Sequence, residues 1–564
     1  MRPILFRSSS VILALVFLGT ACAPAQSEQT LLFNGLVHTI DPDMPYAEAI
    51  LIDDGEIIAV GDNDILAAQA DGNAYRVDLE GLTVLPGFQD IHLHALEAGL
   101  NESLCFLPDQ SNLAELEGLI ADCARDQEST EWFFASGVNM TALLETDPNP
   151  VVRLDRLFSD KPALILDDIG HGAWANSLAL SAVGYDQMDS DPPGGILHRG
   201  STGALTGVVF ENAQQALRNA AFPPTEANLG RAYEGLLASL EVLAENGVTS
   251  VSDAGGYWSR GHHDVWQRVT DDGLLTVRAH NALYVYPDRD LETQVTEISA
   301  LYSNDPDHLL RFNQVKLYVD GIALQGTATL LDPYEVDARD EVRGDADGFL
   351  YFTPDQLTRY AQAFSSEGFL LHFHATGDRG ARLALDAIAA SGEPEDGHHR
   401  LTHLYLLDQA DHSRFTELSV AADFQMAPSS LSDDYEEYLA HLVAERAYGR
   451  LPARALMEAG ALVTLSSDWD AEALSPLERI ETIATLSPER RITVTDAIAM
   501  MTLAPAQVLG HDDITGSITV GKRADLVVLD RNPLDVDSGQ IGEIVVVATL
   551  LNGDAVFDPD GLFE

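Results

Sequence analysis

LPGFQDIHLH, residues 85–94, is the stretch whose reading decides the fold. An apolar run that ends in His92-Leu93-His94 reads as a β-strand, because residues i and i+2 of a strand share one side. Further candidate strands follow at 248–254, 275–284, 314–321, 369–378, 400–407, 420–428 and 461–469. Amphipathic stretches such as LTRYAQAFSSEG (357–368) and ARLALDAIAAS (381–391) lie between many of them. Strand–helix–strand repetition implies parallel strands, and eight is the number that closes a barrel. Residues 101–225 interrupt that rhythm after the first strand and read as an insertion. Both ends of the chain have a different texture, with short β-like runs such as AILIDDGEIIAVGD and ADLVVLD. The expectation is therefore an α/β chain: a (β/α)8 TIM barrel over 86–510 with an inserted subdomain at about 101–225. A small β-sandwich built from both termini, 29–85 and 511–564, completes it.

In such a barrel the C-terminal strand ends carry the active site. His92 and His94 end the first strand, His374 ends the fifth, His403 is read early in the sixth, and Asp468 ends the eighth. Each alone reads as a core histidine or a capping aspartate. Together, imidazole nitrogen and carboxylate oxygen suit zinc, manganese, iron or nickel. Lys316 sits inside the apolar fourth strand of a chain whose other lysines are only Lys161 and Lys522. A buried ammonium is costly, which leaves two readings. One is a neutral amine that takes up carbon dioxide, giving a carbamate able to bridge two metals. The other is a salt bridge to Asp320 or Asp468. His262-His263 and His398-His399 read as solvent-facing or loop residues, and Gly344-Asp345-Ala346-Asp347-Gly348 as a turn rather than a calcium loop.

Of the 564 residues, 32 are Lys or Arg and 89 are Asp or Glu, for a formal charge of −57. That charge excludes nucleic acid as a partner and adhesion to anionic headgroups. Phosphate-binding glycine signatures are absent, so neither nucleotide redox nor ATP chemistry is indicated. Residues 1–25 read as an export signal, with Arg2 and Arg7 ahead of the short apolar run VILALVFLG. Cleavage after Ala25 and lipidation of Cys22 in LGTAC are both open, so the protein is expected to be periplasmic, membrane-anchored through that lipid, or secreted. Cys105 and Cys123 remain as a disulfide or as two buried thiols.

The motifs carry a resemblance. The sequence resembles the amidohydrolase superfamily, specifically the amidohydrolase family 3 group that includes N-substituted formamide deformylases. LPGFQDIHLH looks like that group's PGF-x-D-x-H-x-H, and VKLYVDGIALQGTATLLDPY like its lysine-containing segment and loop. HATGDRG, LSSDWD, GSITVGKRADLVVLD and GHGAWANSLAL (170–180) match others, in the same order along the chain. The resemblance implies a metal-dependent hydrolase that cleaves a non-peptide C–N bond of a small molecule. One or two divalent ions, zinc foremost, would be held by His92 and His94, by His374 and His403, and by carboxylated Lys316 as a bridge. Asp468 would be both ligand and proton carrier. By resemblance His171, Trp174 and Asn176 line the substrate pocket, and His372 adds an imidazole to it. Thr402 stands where the group usually has glutamate, and Trp469-Asp470 where alanine or proline is commoner. The alternatives are an esterase or lactonase using the same site, or an exported metal- or solute-binding lipoprotein without turnover. Oligomeric state is left open.

Overall fold

Eight parallel strands run in sequence order around the centre of the computed structural model, which describes residues 29–563 other than 103, 109–111, 128–129 and 337–342. They are β1 (Phe88–Leu93), β2 (Val248–Gly256), β3 (Arg278–Tyr284), β4 (Leu310–Tyr318), β5 (Leu370–Ala375), β6 (Arg400–His403), β7 (Ala421–Phe424) and β8 (Val463–Leu465). Each pairs with the next in a parallel ladder. All eight expected strands are present. The expected export signal and Cys22 lie outside the described residues. Among the described residues no helix is long and apolar enough to cross a membrane.

Strand alternation explains the layers. In β5, Leu371, Phe373 and Ala375 pack outward into the helical layer, while His372 and His374 take the alternate positions. In β4, Val315 and Leu317 pack outward and Lys316 falls between them. The barrel interior is therefore polar, and every strand is buried on both faces, as parallel sheets require. Register sets Lys316 opposite His372 and Tyr318 opposite His374.

No ladder pairs β8 with β1 among the described residues; other groups close the barrel there. The amide of Asp468 donates to the carbonyl of His92 over 2.8 Å, and Asp90 accepts from the amide of Ser467 at 3.2 Å. Lower down, the carbonyls of Met500 and Met501 accept from Leu465 and Gln89 at 3.1 and 2.8 Å.

Between β1 and β2 the chain makes a separate six-stranded sheet. Its order is Gly195–Arg199, Leu205–Glu211, Gly172–Ala175, Ala163–Asp167, Phe133–Val138, Cys105–Phe106. A disulfide between Cys105 and Cys123 ties its edge strand to the helix Leu113–Asp126. The two termini meet in a second six-stranded sheet, where Leu526–Leu529 pairs antiparallel with Thr83–Pro86. A four-stranded sheet from residues 29–78 packs against it through Leu32, Ile50, Val84, Leu526 and Leu550.

Two sequence expectations are corrected here. His262 is buried in the helix His262–Asp271 rather than solvent-facing or in a loop, whereas His399 does lie in the loop before β6 and is buried there. His262 lies 3.0 Å from the carbonyl of Gly255, and His399 accepts from the amide of Leu371 at 3.0 Å. His403 is the last residue of β6, not an early one. Gly344–Gly348 forms a tight turn closed by reciprocal backbone bonds of Asp345 and Gly348.

Barrel and terminal sheets are joined by one buried ion pair, in which Arg278 of β3 donates from Nε to Asp525 Oδ2 over 2.6 Å and from Nη2 to Oδ1 over 3.1 Å. Asp525 is fully buried, so removing the guanidinium strands a charge away from water. Arg278→Ala is expected to destabilise the protein by about 3–5 kcal/mol. Thermal unfolding followed by circular dichroism checks this; an unchanged melting temperature would contradict it.

Candidate metal centre and cleft

Six side chains from five strands converge at the C-terminal mouth of the barrel. His92 and His94 come from β1 and the turn after it, Lys316 from β4, His374 from β5, His403 from β6 and Asp468 from just beyond β8. His403 departs from the alternation. Arg400 points inward and Leu401 outward, so the residue at 403 would face the helices in a regular strand. A left-handed φ of 79° breaks the strand there, and the ring lies 4.3 Å from His374 and 4.9 Å from His92, centroid to centroid. Asp468 also has a left-handed φ, 58°. Non-glycine residues in this region carry strain that surrounding structure must hold.

Nε2 of His92 and Nε2 of His94 each lie 3.2 Å from Asp468 Oδ1, and His403 Nδ1 lies 3.9 Å from Oδ2. Ligand atoms of His92, His403 and Asp468 all fall within 4.8 Å of one another. Two ligands on one tetrahedral zinc at bond lengths of 2.0–2.1 Å stand ~3.3 Å apart, so the spacing fits. Burial pushes the imidazoles of His92 and His374 well below their ordinary range, and that of His403 down to about 3. They are neutral, with lone pairs free to coordinate. His374 Nδ1 is buried without a partner. Burial opposes charge on Asp468, but its hydrogen-bonding contacts with His92 and His94 outweigh it and hold the carboxyl well below the carboxylate range. Neutral imidazoles, a carboxylate and an orphaned buried nitrogen make a donor set that fits a divalent transition metal.

Lys316 is fully buried, and burial drives its ammonium well below the ordinary lysine value. Its Nζ lies 3.3 Å from His92 Nδ1 and 3.5 Å from His372 Nε2. The carboxylate partners considered from sequence do not meet it. Asp320 instead accepts backbone amides of Thr329, Thr376 and Gly377 at 2.8–2.9 Å.

Three residues expected in the pocket are elsewhere. His372 lies beneath the mouth, with Nε2 2.8 Å from His92 Nδ1 and Nδ1 2.8 Å from Arg400 Nη2. It fixes the His92 ring, because strand alternation places residue 372 one layer deeper than 374. Trp174 is buried in the core of the insertion, its strand position paired with Ile165. Asn176 caps the helix Ser177–Ala182, accepting from Ala179 N at 2.9 Å and Ala163 N at 3.0 Å.

His171 does reach the cleft, a cavity of about 440 Å³ between barrel and insertion. Its Nδ1 lies 2.8 Å from Glu211 Oε2, and its ring is 5.3 Å from that of His374. Glu211 escaped the sequence reading. It is fully buried at a φ of 58° and accepts from Tyr351 OH and Thr327 Oγ1, each at 2.6 Å. A side chain at Gly321 would collide with its carboxylate. The available signal was an acid closing the apolar run LTGVVFE, the same kind of anomaly as Lys316. Beside Thr402, whose hydroxyl donates to Asp423 over 2.7 Å, the neighbouring strand supplies a carboxylate that also accepts from Thr464 and Ser466.

Known proteins resemble this chain in family and fold. A family profile described as "Amidohydrolase family" matches residues 76–557. N-substituted formamide deformylase of Arthrobacter pascens is 27% identical over 559 residues, covering 95% of this chain and 99% of that protein. Protein LONG AFTER FAR-RED 3 of Arabidopsis thaliana is 26% identical over 550 residues, covering 93% and 91%. An uncharacterized metal-dependent hydrolase from Pyrococcus horikoshii superposes with a TM-score of 0.71 at 22% identity, over 91% of this chain and 99% of that one.

Replacing His92 and His94 together by asparagine is expected to remove at least one equivalent of bound transition metal while the barrel stays folded. Elemental analysis of chelator-free preparations reads this, and full metal content in the folded double variant would refute the ligand assignment.

Proposed function

The chain belongs to the amidohydrolase family, and from that premise we propose that it hydrolyses a non-peptide C–N bond, an amide or N-acyl amine, in a small molecule. The observation that carries this is the placement of Asp468. Its carboxylate is the most open of the buried cluster, 18% exposed at the cleft, and it sits 3.2 Å from both His92 Nε2 and His94 Nε2. A pure metal store has no need of a basic oxygen facing the space a substrate would occupy.

His92 and His94 would hold one ion, and His374 and His403 a second, with Lys316 as a carbamate between them. Zinc is favoured by the nitrogen-rich donor set. Such a metal, when bound, acts as a Lewis acid that brings the pKa of water toward ~7. Asp468 takes the proton from the attacking water at a carboxylate oxygen. As the C–N bond breaks, the same oxygen returns that proton to the departing nitrogen, so the amine leaves neutral. His372 and Arg400 act from below by fixing the ring of His92. Lys316, neutral through burial, has the lone pair needed to add to carbon dioxide.

Asp468→Asn keeps the size of the side chain and removes its basicity. Turnover is expected to fall about 10²–10⁴-fold, with metal content and melting temperature close to those of the parent. A panel of N-acyl amines, measured with metal content on the same preparation, checks it. Unchanged turnover in folded, metal-loaded Asp468→Asn would exclude the assigned role, and no hydrolysis of any acyl amine by the parent would exclude the function. Lys316→Ala is expected to abolish turnover and to regain part of it with added short carboxylic acids. Full activity without them would exclude the carbamate.

A further inference from the structure

Five tyrosines pack edge to edge beneath and along one wall of the cleft, and one of them is unlike the rest. The ring of Tyr284 lies 5.1 Å from that of Tyr257, 4.8 Å from Tyr286 and 5.6 Å from Tyr318, centroid to centroid, and Tyr318 lies 5.1 Å from Tyr351. A phenol taken out of water normally finds a partner for its hydroxyl. Tyr351 OH donates to Glu211 Oε2 over 2.6 Å, and Tyr284 OH to Asn212 Oδ1 over 3.3 Å. Tyr286 OH lies 2.6 Å from Ser259 Oγ, and Gln215 Nε2 donates to Tyr257 OH at 3.4 Å. Among the described residues no protein group bonds the hydroxyl of Tyr318. Tyr318 is the one residue of β4 that is not buried, and it lines the same cavity as His171, His374, His403 and Asp468. Its hydroxyl opens into that cavity.

The strand fixes where that hydroxyl stands. Tyr318 is two residues beyond Lys316, so it shares the inward face of β4 one layer nearer the mouth. Register sets it opposite His374, and the two rings stack at 4.3 Å and 20°. In a ring of eight strands in sequence order, β4 faces β8, which puts the phenol across the mouth from Asp468. The span between them is filled by the imidazoles: His374 lies 4.3 Å from His403, whose Nδ1 is 3.9 Å from Asp468 Oδ2. The two sides of the mouth differ in hydrogen-bonding sense. Asp468 is an acceptor, suited to the proton of an attacking water. A phenol keeps its proton at neutral pH and donates. A carbonyl oxygen under attack gains negative charge, and a donor held ready for it stabilises that charge most.

We infer that Tyr318 is a further catalytic residue, whose hydroxyl bonds the carbonyl oxygen of the substrate as the acyl carbon becomes tetrahedral. This rests on the hydrolase reading above. The water oxygen bonds to the acyl carbon, the π pair of the C=O bond moves onto its oxygen, and Asp468 takes one proton of the water. The phenol bonds the charged oxygen and keeps its own proton. When the π pair returns, the C–N bond breaks, its electrons go to nitrogen, and the proton held by Asp468 follows them. The bond from Tyr318 strengthens as charge develops, so it lowers the barrier rather than tightening the hold on the planar substrate. The stack on His374 fixes the ring, and the hydroxyl acts from that fixed position.

Tyr318→Phe in the metal-loaded, full-length protein keeps the stacked ring and removes only the oxygen. No protein group loses a partner, so melting temperature and metal content are expected to match the parent. On acyl amines, kcat and kcat/KM are expected to fall together by about 10²–10³-fold with KM unchanged. Calorimetry reads the same contact without turnover. The probes are N-benzylacetamide, which is planar, and N-benzyl methylphosphonamidate, whose phosphorus is tetrahedral and carries a charged oxygen. The parent is expected to bind the phosphonamidate tighter than the amide. Tyr318→Phe should lose roughly 10²–10³-fold of that affinity and none of its affinity for the amide. Tyr318→Leu removes the ring as well. Loss of activity in Tyr318→Leu with full activity in Tyr318→Phe would reduce the residue to packing on His374 and overturn the inference. Unchanged phosphonamidate affinity in Tyr318→Phe, or no preference for the phosphonamidate in the parent, would overturn it too. A parent that hydrolyses acyl amines no faster than Tyr318→Phe does would remove the donor and leave the hydrolase. A parent that hydrolyses no acyl amine, yet loses phosphonamidate affinity through Tyr318→Phe, would remove the C–N reading and leave the donor.

Discussion

The hydrogen bond from the amide of Asp468 to the carbonyl of His92, 2.8 Å long, is the constraint on which the site depends. His92 lies at the end of the first barrel strand and Asp468 just past the last, and no ladder joins those two strands. The bond closes the ring at its mouth and sets the carboxylate against two imidazoles. Asp468 adopts a left-handed backbone to make it, a cost that only a fixed surrounding can hold in place. Asp90 supports the closure by accepting the amide of Ser467, the residue before Asp468.

Beneath the mouth the barrel is filled with polar groups, and their contacts decide how rigid the site is. Arg400 is fully buried; its Nη2 lies within 2.9 Å of Ile91 O, Ser252 Oγ, Gln314 Oε1 and His372 Nδ1, which share its two N–H groups, while its Nε and Nη1 meet no partner. His372 carries that order up to His92. Paired polar groups are stiff, so the Arg400–His372–His92 contacts resist rotation of the His92 ring. The insertion acts from the other side. Its Glu211 crosses to the barrel, takes hydroxyls from Thr327 and Tyr351, and orients His171. Barrel and insertion thereby form one cleft rather than two neighbouring bodies.

The eight strands were legible because each is a run of apolar residues flanked by turn signals, and because the helices between them keep their own periodicity. His92, His94, Lys316, His374 and Asp468 were legible as chemical anomalies within those runs. His403 was read early in its strand because the apolar run continues through Tyr405-Leu406-Leu407, whereas left-handed backbone at His403 and Leu404 ends the strand there. Trp174 and Asn176 were misplaced for a related reason. A motif shows that residues are needed together, not whether they serve a pocket, a core or a helix cap. Glu211 lies far along the chain from the barrel residues it meets, and no local pattern ties it to the cleft.

By itself, then, the sequence determined the strand count and the side chains able to hold a metal, since these follow from local periodicity and residue chemistry. The tertiary structure alone decided which of those side chains meet. Closure of β8 onto β1 brings Asp468 to His92. The reversed backbone at His403 turns its ring inward. Packing of the insertion over the mouth sets His171 in the cleft and withdraws Trp174 from it. These are outcomes of long-range packing and backbone strain, which depend on contacts between segments that have no spacing in common.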